Sequence, residues 1–165
     1  MMPAGKTSRV HLTVVEHSAR TAIAAIVSLL AARLFRLSEA YWAPITTLVV
    51  TQSSLGAALS VSWKRFVGTA LGAFVGGLLA SHFPPNVFLF GATVLILGPL
   101  CALLRADRSA YRFGGVTLAI VLLIPRADPP WQIALHRFAE VSIGIGVALL
   151  FATVWPEGED PSVGN

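Results

Sequence analysis

The chain has 165 residues, of which 55% are hydrophobic and only 12% charged, where a soluble globular domain carries roughly 25% charged residues. That deficit excludes an ordinary soluble domain and points to lipid as the solvent. The net charge of +4 and pI near 10.0 do not signal nucleic acid, because the Lys and Arg residues stand singly or in pairs between apolar runs, as loop anchors beside a membrane do.

Taken in order, residues 1–17, with Lys6 and Arg9, read as a cytoplasmic N-terminal segment. The first apolar run, 18–35, is closed by Arg33 and Arg36; no small-x-small cleavage site follows it, so it reads as a retained span and not as a signal peptide. The second run, 41–50, is short: Ser38 can cap it, Pro44 sits where a missing amide is least costly, and a polar stretch from Thr51 to Ser54 follows, so a tilted or broken helix fits. The third, 66–81, starts after Lys64-Arg65, carries Gly68, Gly72, Gly76 and Gly77, and ends at Pro84-Pro85. The fourth covers 87–104, the fifth 111–124 up to Pro125, and the sixth 133–155 up to Pro156. Glu157, Glu159 and Asp160 give the tail, 157–165, an acidic, disordered character.

Runs near the ~20 apolar residues that a ~30 Å hydrocarbon core demands predict an all-α, integral membrane six-helix bundle over 18–156. Continuous rather than alternating hydrophobicity argues against a β-barrel. Six spans put both termini on one side. Lys6, Arg9, Arg20, Lys64, Arg65, Arg105, Arg108 and Arg112 on that side outweigh Arg33, Arg36, Arg126 and Arg137 on the other, which makes the termini cytoplasmic. Tyr41, Trp42, Trp63, Tyr111, Trp131 and Trp155 fall near span ends, as an interfacial aromatic belt requires.

Arg65-Phe66, Ala70-Leu71-Gly72, Val75 and Leu78 align without a gap on Arg137-Phe138, Ser142-Ile143-Gly144, Val147 and Leu150. Tyr41 with Thr47-Leu48 sets against Tyr111 with Thr117-Leu118 at a spacing that differs by two residues. Two three-helix repeats would have opposite topologies, as in many secondary transporters. The alternative is that Arg-Phe and glycine spacings are simply common in membrane helices.

Gly68, Gly72 and Gly76 form a doubled small-xxx-small pattern, and Gly144 with Ala148 another; both are helix-packing signals. Glu140 lies inside the sixth span, where a carboxylate is expensive unless paired, hydrated or protonated. Arg137, one turn earlier, can pair with it, and Arg65 can approach if the repeats pack together. Glu140 with Arg137 is then either a proton-coupling pair or a structural ion pair. Tyr41, Trp42, Pro44, Thr46 and Thr47 combine aromatics, a proline and hydroxyls at a helix start whose amides favour an anion. With Gln52, Arg65 and Tyr111 they form a candidate substrate-binding set; the alternative is an aromatic anchor with hydroxyls bonded back to their own helix. His11, His17, His82 and His136 show no metal-ligand spacing. Cys101, the only cysteine, sits among apolar neighbours and reads as packing. No catalytic triad, phosphate loop or paired catalytic carboxylates can be read, so neither an enzyme nor a cofactor is expected.

The run from Tyr41-Trp42-Ala43-Pro44 through Val50, followed by Lys64-Arg65-Phe66-Val67-Gly68-Thr69-Ala70-Leu71-Gly72 and closed by Arg137-Phe138-Ala139-Glu140, Gly144 and Pro156, resembles the fusaric acid resistance-like, or aromatic acid exporter, family. The resemblance covers about 19–156 and implies a six-helix inner-membrane domain. It implies export of aromatic carboxylic acids and related toxic compounds driven by the proton gradient, with plant anion channels as more distant relatives. Larger members carry two membrane domains or a soluble domain, so the resemblance also implies a homodimer or larger oligomer, or an efflux accessory protein, as partner. A passive anion channel and a non-transporting membrane subunit of an efflux assembly are the alternatives.

Overall fold

The computed structural model describes residues 4–52, 54–104, 106–124 and 128–155, the side chains of 4–13 excepted. Among these the chain is all-helical, with no strand: α1 (Ala4–Leu34), α2 (Trp42–Val50), α3 (Leu55–His82), α4 (Val87–Leu103), α5 (Arg108–Leu123) and α6 (Pro130–Val154). The tail at 157–165, Pro125, Arg126, Arg105 and Pro156 lie outside the described residues.

Four helices are longer than the apolar runs suggest, among them α5, which begins at Arg108. α1 begins at Ala4, so residues 4–17 are helical and continuous with the first span. α3 begins at Leu55, where the Ser54 hydroxyl accepts the Ala57 amide at 3.3 Å, a serine N-cap. Lys64 and Arg65 are therefore inside a helix and not in a loop before it; both are good helix formers. α6 begins at Pro130, and proline is favoured at a first helical position. α1 ends in a Schellman turn: Leu37 N–H reaches Ala32 O, Arg36 N–H reaches Arg33 O, and Arg36 takes the left-handed φ of 53°.

Among the described residues, two helices are long and apolar enough to cross a membrane, α1 from Val14 to Leu34 and α6. α2 has 9 residues, about 14 Å at ~1.5 Å per residue, too short to cross a bilayer core by itself.

α3 lies at the centre, packed on α5 and α6, and α6 also packs on α2. The neighbours are partly reciprocal: α3 lies on α5 as α6 lies on α2, and α1 lies on α2 as α4 lies on α5, but α1 also packs on α6 where, among the described residues, α4 makes no comparable contact with α3. The surfaces are inverted relative to a soluble domain. Ala, Gly, Ser and Thr dominate the buried positions, joined by three arginines and Glu140, while Leu34, Phe88, Leu95 and Leu103 are more than three-quarters exposed. Small residues inside and large apolar ones outside is the distribution expected where lipid is the outer solvent and close backbone packing holds helices together.

That packing is visible at the glycines. A Cβ on Gly68 would strike the Ala110 carbonyl of α5, one on Gly72 the Gly114 carbonyl, and one on Gly144 the Ala43 carbonyl of α2. Gly76 faces side chains instead, Val121 Cβ at 3.2 Å and Leu118 Cδ1 at 3.3 Å.

Candidate functional site

The α1–α2 turn and the first turn of α2 deliver Glu39, Trp42 and Thr46 against the N-terminal half of α6, and α3 brings Arg65 from the other side. Pro44 falls in the first turn of α2, where its missing amide has no helical partner to lose. Thr46 Oγ1 donates back to Trp42 O at 2.9 Å and accepts from both Nε and Nη2 of Arg65, at 3.2 and 3.0 Å. Thr47 Oγ1 lies 3.1 Å from Ala43 O and equally from Gly144 O, so it ties α2 to α6 where Gly144 permits close approach. Both hydroxyls thus bond back to their own helix and also reach outward.

Arg65 and Arg137 are 7% and 2% exposed. Each lies over an aromatic ring of the opposite half: Arg137 is 3.6 Å from the Trp42 centroid, and Arg65 is 4.8 Å from that of Phe113. Their charges lie within electrostatic reach of each other. Between Arg137 Nη1 and Glu140 Oε2 the separation is 3.7 Å, an ion pair longer than a hydrogen bond, and both residues are almost wholly buried. Glu140 Oε1 accepts the Glu39 amide at 3.0 Å, and Glu39 Oε2 accepts the Trp42 indole N–H at 3.0 Å. Arg137 Nε and Nη1 make no hydrogen bond among the described residues. Buried guanidinium donors without acceptors are costly, and they are what an incoming carboxylate would satisfy.

The structure therefore gathers Trp42, Thr46, Arg65, Arg137 and Glu140 of the sequence-derived set, with Thr47 and Pro44 in supporting places. Tyr41 is exposed, and Tyr111 sets its ring beside Gly98 of α4. Gln52 lies at the far end of α2, its amide on Val49 O and its carbonyl accepting Arg20 Nη2 at 3.1 Å. Gln52 and Tyr111 stand apart from the cluster, whereas the exposed Tyr41 tilts its ring against that of Trp42, centroids 5.6 Å apart. Arg20, Arg65 and Arg137 are buried in helix packing, which corrects their reading as loop anchors. Arg20 also donates to Trp155 O at 2.8 Å, so it holds the C-terminal ends of α2 and α6 together. Sequence reasoning missed Glu39 and Phe113, and no spacing rule marks either. No group of three or more candidate metal ligands occurs among the described residues.

Residues 22–151 match the model of the fusaric acid resistance protein-like family. The chain belongs to that family. Its similar proteins include the inner membrane protein YeeA of Escherichia coli K12, 31% identical over 150 residues, covering 86% of this chain and 41% of the relative. The uncharacterized transporter YdhK of the same strain is 29% identical over 153 residues, covering 87% and 23%. Aluminum-activated malate transporter 14 of Arabidopsis thaliana is 29% identical over 140 residues, covering 74% and 26%. The chain thus spans less than half the length of each of these relatives, and no solved structure matches it.

Proposed function

We propose that this chain is the membrane unit of an exporter of small organic anions, aromatic carboxylates among them, in which Arg65 and Arg137 hold the substrate carboxylate and Glu140 carries the coupled proton. The observation that carries this reading is the buried Arg137 guanidinium, with two nitrogens free to donate, set between a carboxylate, an indole face and a second buried arginine. A carboxylate suits such a site, since it would meet guanidinium donors. Substrate anion and Glu140 carboxylate would draw on the same buried cations, so the charge on Glu140 and the occupancy of the site are linked.

In this reading the protein is a multi-pass inner-membrane protein with cytoplasmic termini. Its halves, α1–α3 and α4–α6, are inverted repeats, which places the substrate at their interface. Partly reciprocal packing supports this, as does Phe66 touching Phe138 with centroids 5.1 Å apart, since residues matched by the repeat meet each other. A homodimer or larger oligomer, with or without an efflux accessory protein, is the assembly we assign to it. The relatives named as transporters support transport in general.

The test is equilibrium binding of labelled benzoate to the purified protein in lipid nanodiscs. Saturable binding that is lost in Arg137→Gln and Arg65→Gln supports the site; binding retained in both variants removes it.

A further inference from the structure

His136 is one turn from Glu140 on α6, and consecutive residues of the α1–α2 turn hold the pair. Ser38 Oγ is 2.8 Å from His136 Nδ1, and the Glu39 amide donates to Glu140 Oε1 at 3.0 Å. Between them lies a polar cavity of about 10 Å³ lined by Ser38, Glu39, Asp128, Ile133, His136, Arg137 and Glu140, about the space one water occupies. Asp128 is exposed, His136 is partly exposed and Glu140 is 1% exposed, so the cavity grades from solvent to the buried carboxylate.

We infer that His136 is the residue through which Glu140 exchanges protons with the aqueous side, by way of one water in this cavity. The inference rests on the reading of Glu140 as the proton carrier. Histidine suits the position because its two ring nitrogens let an imidazole take a proton on one side and give one on the other. In the inward step the imidazolium gives a proton to the cavity water, and that water gives one of its own to a Glu140 carboxylate oxygen. The ring is left neutral and is reprotonated from bulk water. Only N–H and O–H bonds change, and one positive charge on the ring is exchanged for one neutralised carboxylate.

Ser38 positions the ring: its hydroxyl donates to Nδ1 of the neutral imidazole and accepts from Nδ1–H of the cation. The charged groups around this path are Glu39 from the turn, Asp128 from the segment before α6, Arg137 on α6 itself and Arg65 on α3 beyond it; α2 offers Trp42, which does not titrate.

The experiment is pH-jump infrared spectroscopy on purified protein in nanodiscs, following the protonated-carboxyl band that disappears in Glu140→Gln. The inference expects the rise of that band to slow by about tenfold or more in His136→Gln, to slow less in Ser38→Ala, and to recover in His136→Gln on addition of free imidazole. Imidazole recovery is a readout that a structural role for His136 would not give. Equal rates in wild type and His136→Gln overturn the inference, as does slowing that imidazole leaves unchanged. If no Glu140-dependent band titrates, the inference falls with the proton-carrier reading. If the band behaves as expected while vesicle transport ignores a pH gradient, the relay stands and coupling fails, so the two failures are distinguishable.

Discussion

The guanidinium of Arg137 lies against the indole of Trp42, 3.6 Å from the ring centroid, and joins the last helix of the chain to its shortest. The same indole donates to Glu39 Oε2, and the Glu39 amide donates to Glu140, so one aromatic side chain fixes both the cation and, through the turn, the carboxylate. Desolvated cation–π contacts are worth about 2 kcal/mol. Trp42→Leu is therefore expected to lower stability by about that amount or more, since Glu39 also loses its donor. Trp42→Phe keeps the aromatic face and recovers part of the loss. Thermal unfolding in detergent checks both; equal midpoints for all three proteins would remove the contact from the account.

The glycines give a second, sharply divided expectation. Gly72→Ala and Gly144→Ala place a methyl group on a backbone carbonyl of the facing helix, which cannot move aside as a side chain can. Overpacking of this kind costs about 1–3 kcal/mol. Gly146→Ala and Gly91→Ala meet nothing within 4 Å and should be neutral or stabilising by up to about 1 kcal/mol, the helix-propensity difference. Unfolding midpoints of the four variants test the pattern, and a destabilised Gly146→Ala would contradict it.

Arg65 separates stability from function. Its partners are the Thr46 hydroxyl and the Phe113 ring, and a buried charge is costly to retain. Arg65→Met keeps the alkyl volume and drops the charge. The protein should hold its stability within about 1 kcal/mol, or gain, because replacing buried charge by apolar volume is often neutral or favourable, while benzoate binding is lost. Arg36→Ala, at an exposed turn, should change neither. Arg65→Met that unfolds with binding intact before unfolding would make Arg65 structural.

Lys64 of α3 and Asp107 at the N-cap of α5 form an ion pair at 2.7 Å on the surface. The Lys64 hydrogen bond, and after it the Lys64 charge, holds the Asp107 carboxyl below its usual range. A depressed folded-state pKa contributes stability that is full above the unfolded value of about 3.9 and is lost as pH falls through the folded one. The effect is small because the pair is solvent-screened. Unfolding midpoints of wild type and Asp107→Asn should differ near neutral pH and converge in acid; a constant difference across that range would contradict the assignment.

The helices were legible because apolar runs, caps and prolines report on chain-local physics, and α2 and α4 lie close to the runs that marked them, with α5 missed only at its start. The starts of α1, α3 and α6 were not, since charged residues such as Lys64 and Arg65 interrupt hydrophobicity without interrupting a helix. Glu140 and Arg137 could be singled out by their cost in an apolar helix. Arg20 could not be placed, because its acceptors are backbone carbonyls of Gln52 and Trp155, and carbonyls leave no mark in a sequence. Tyr41 and Tyr111 drew attention as aromatics, yet Trp42 and Phe113, their near neighbours, carry the arginine contacts.

Uptake of labelled benzoate into inverted vesicles, with and without an imposed pH gradient, in wild type and Glu140→Gln, tests the central claim most directly. The account predicts gradient-driven uptake in wild type and its loss in Glu140→Gln. Equal, gradient-independent flux in both proteins would contradict proton-coupled export and leave a passive anion channel in its place.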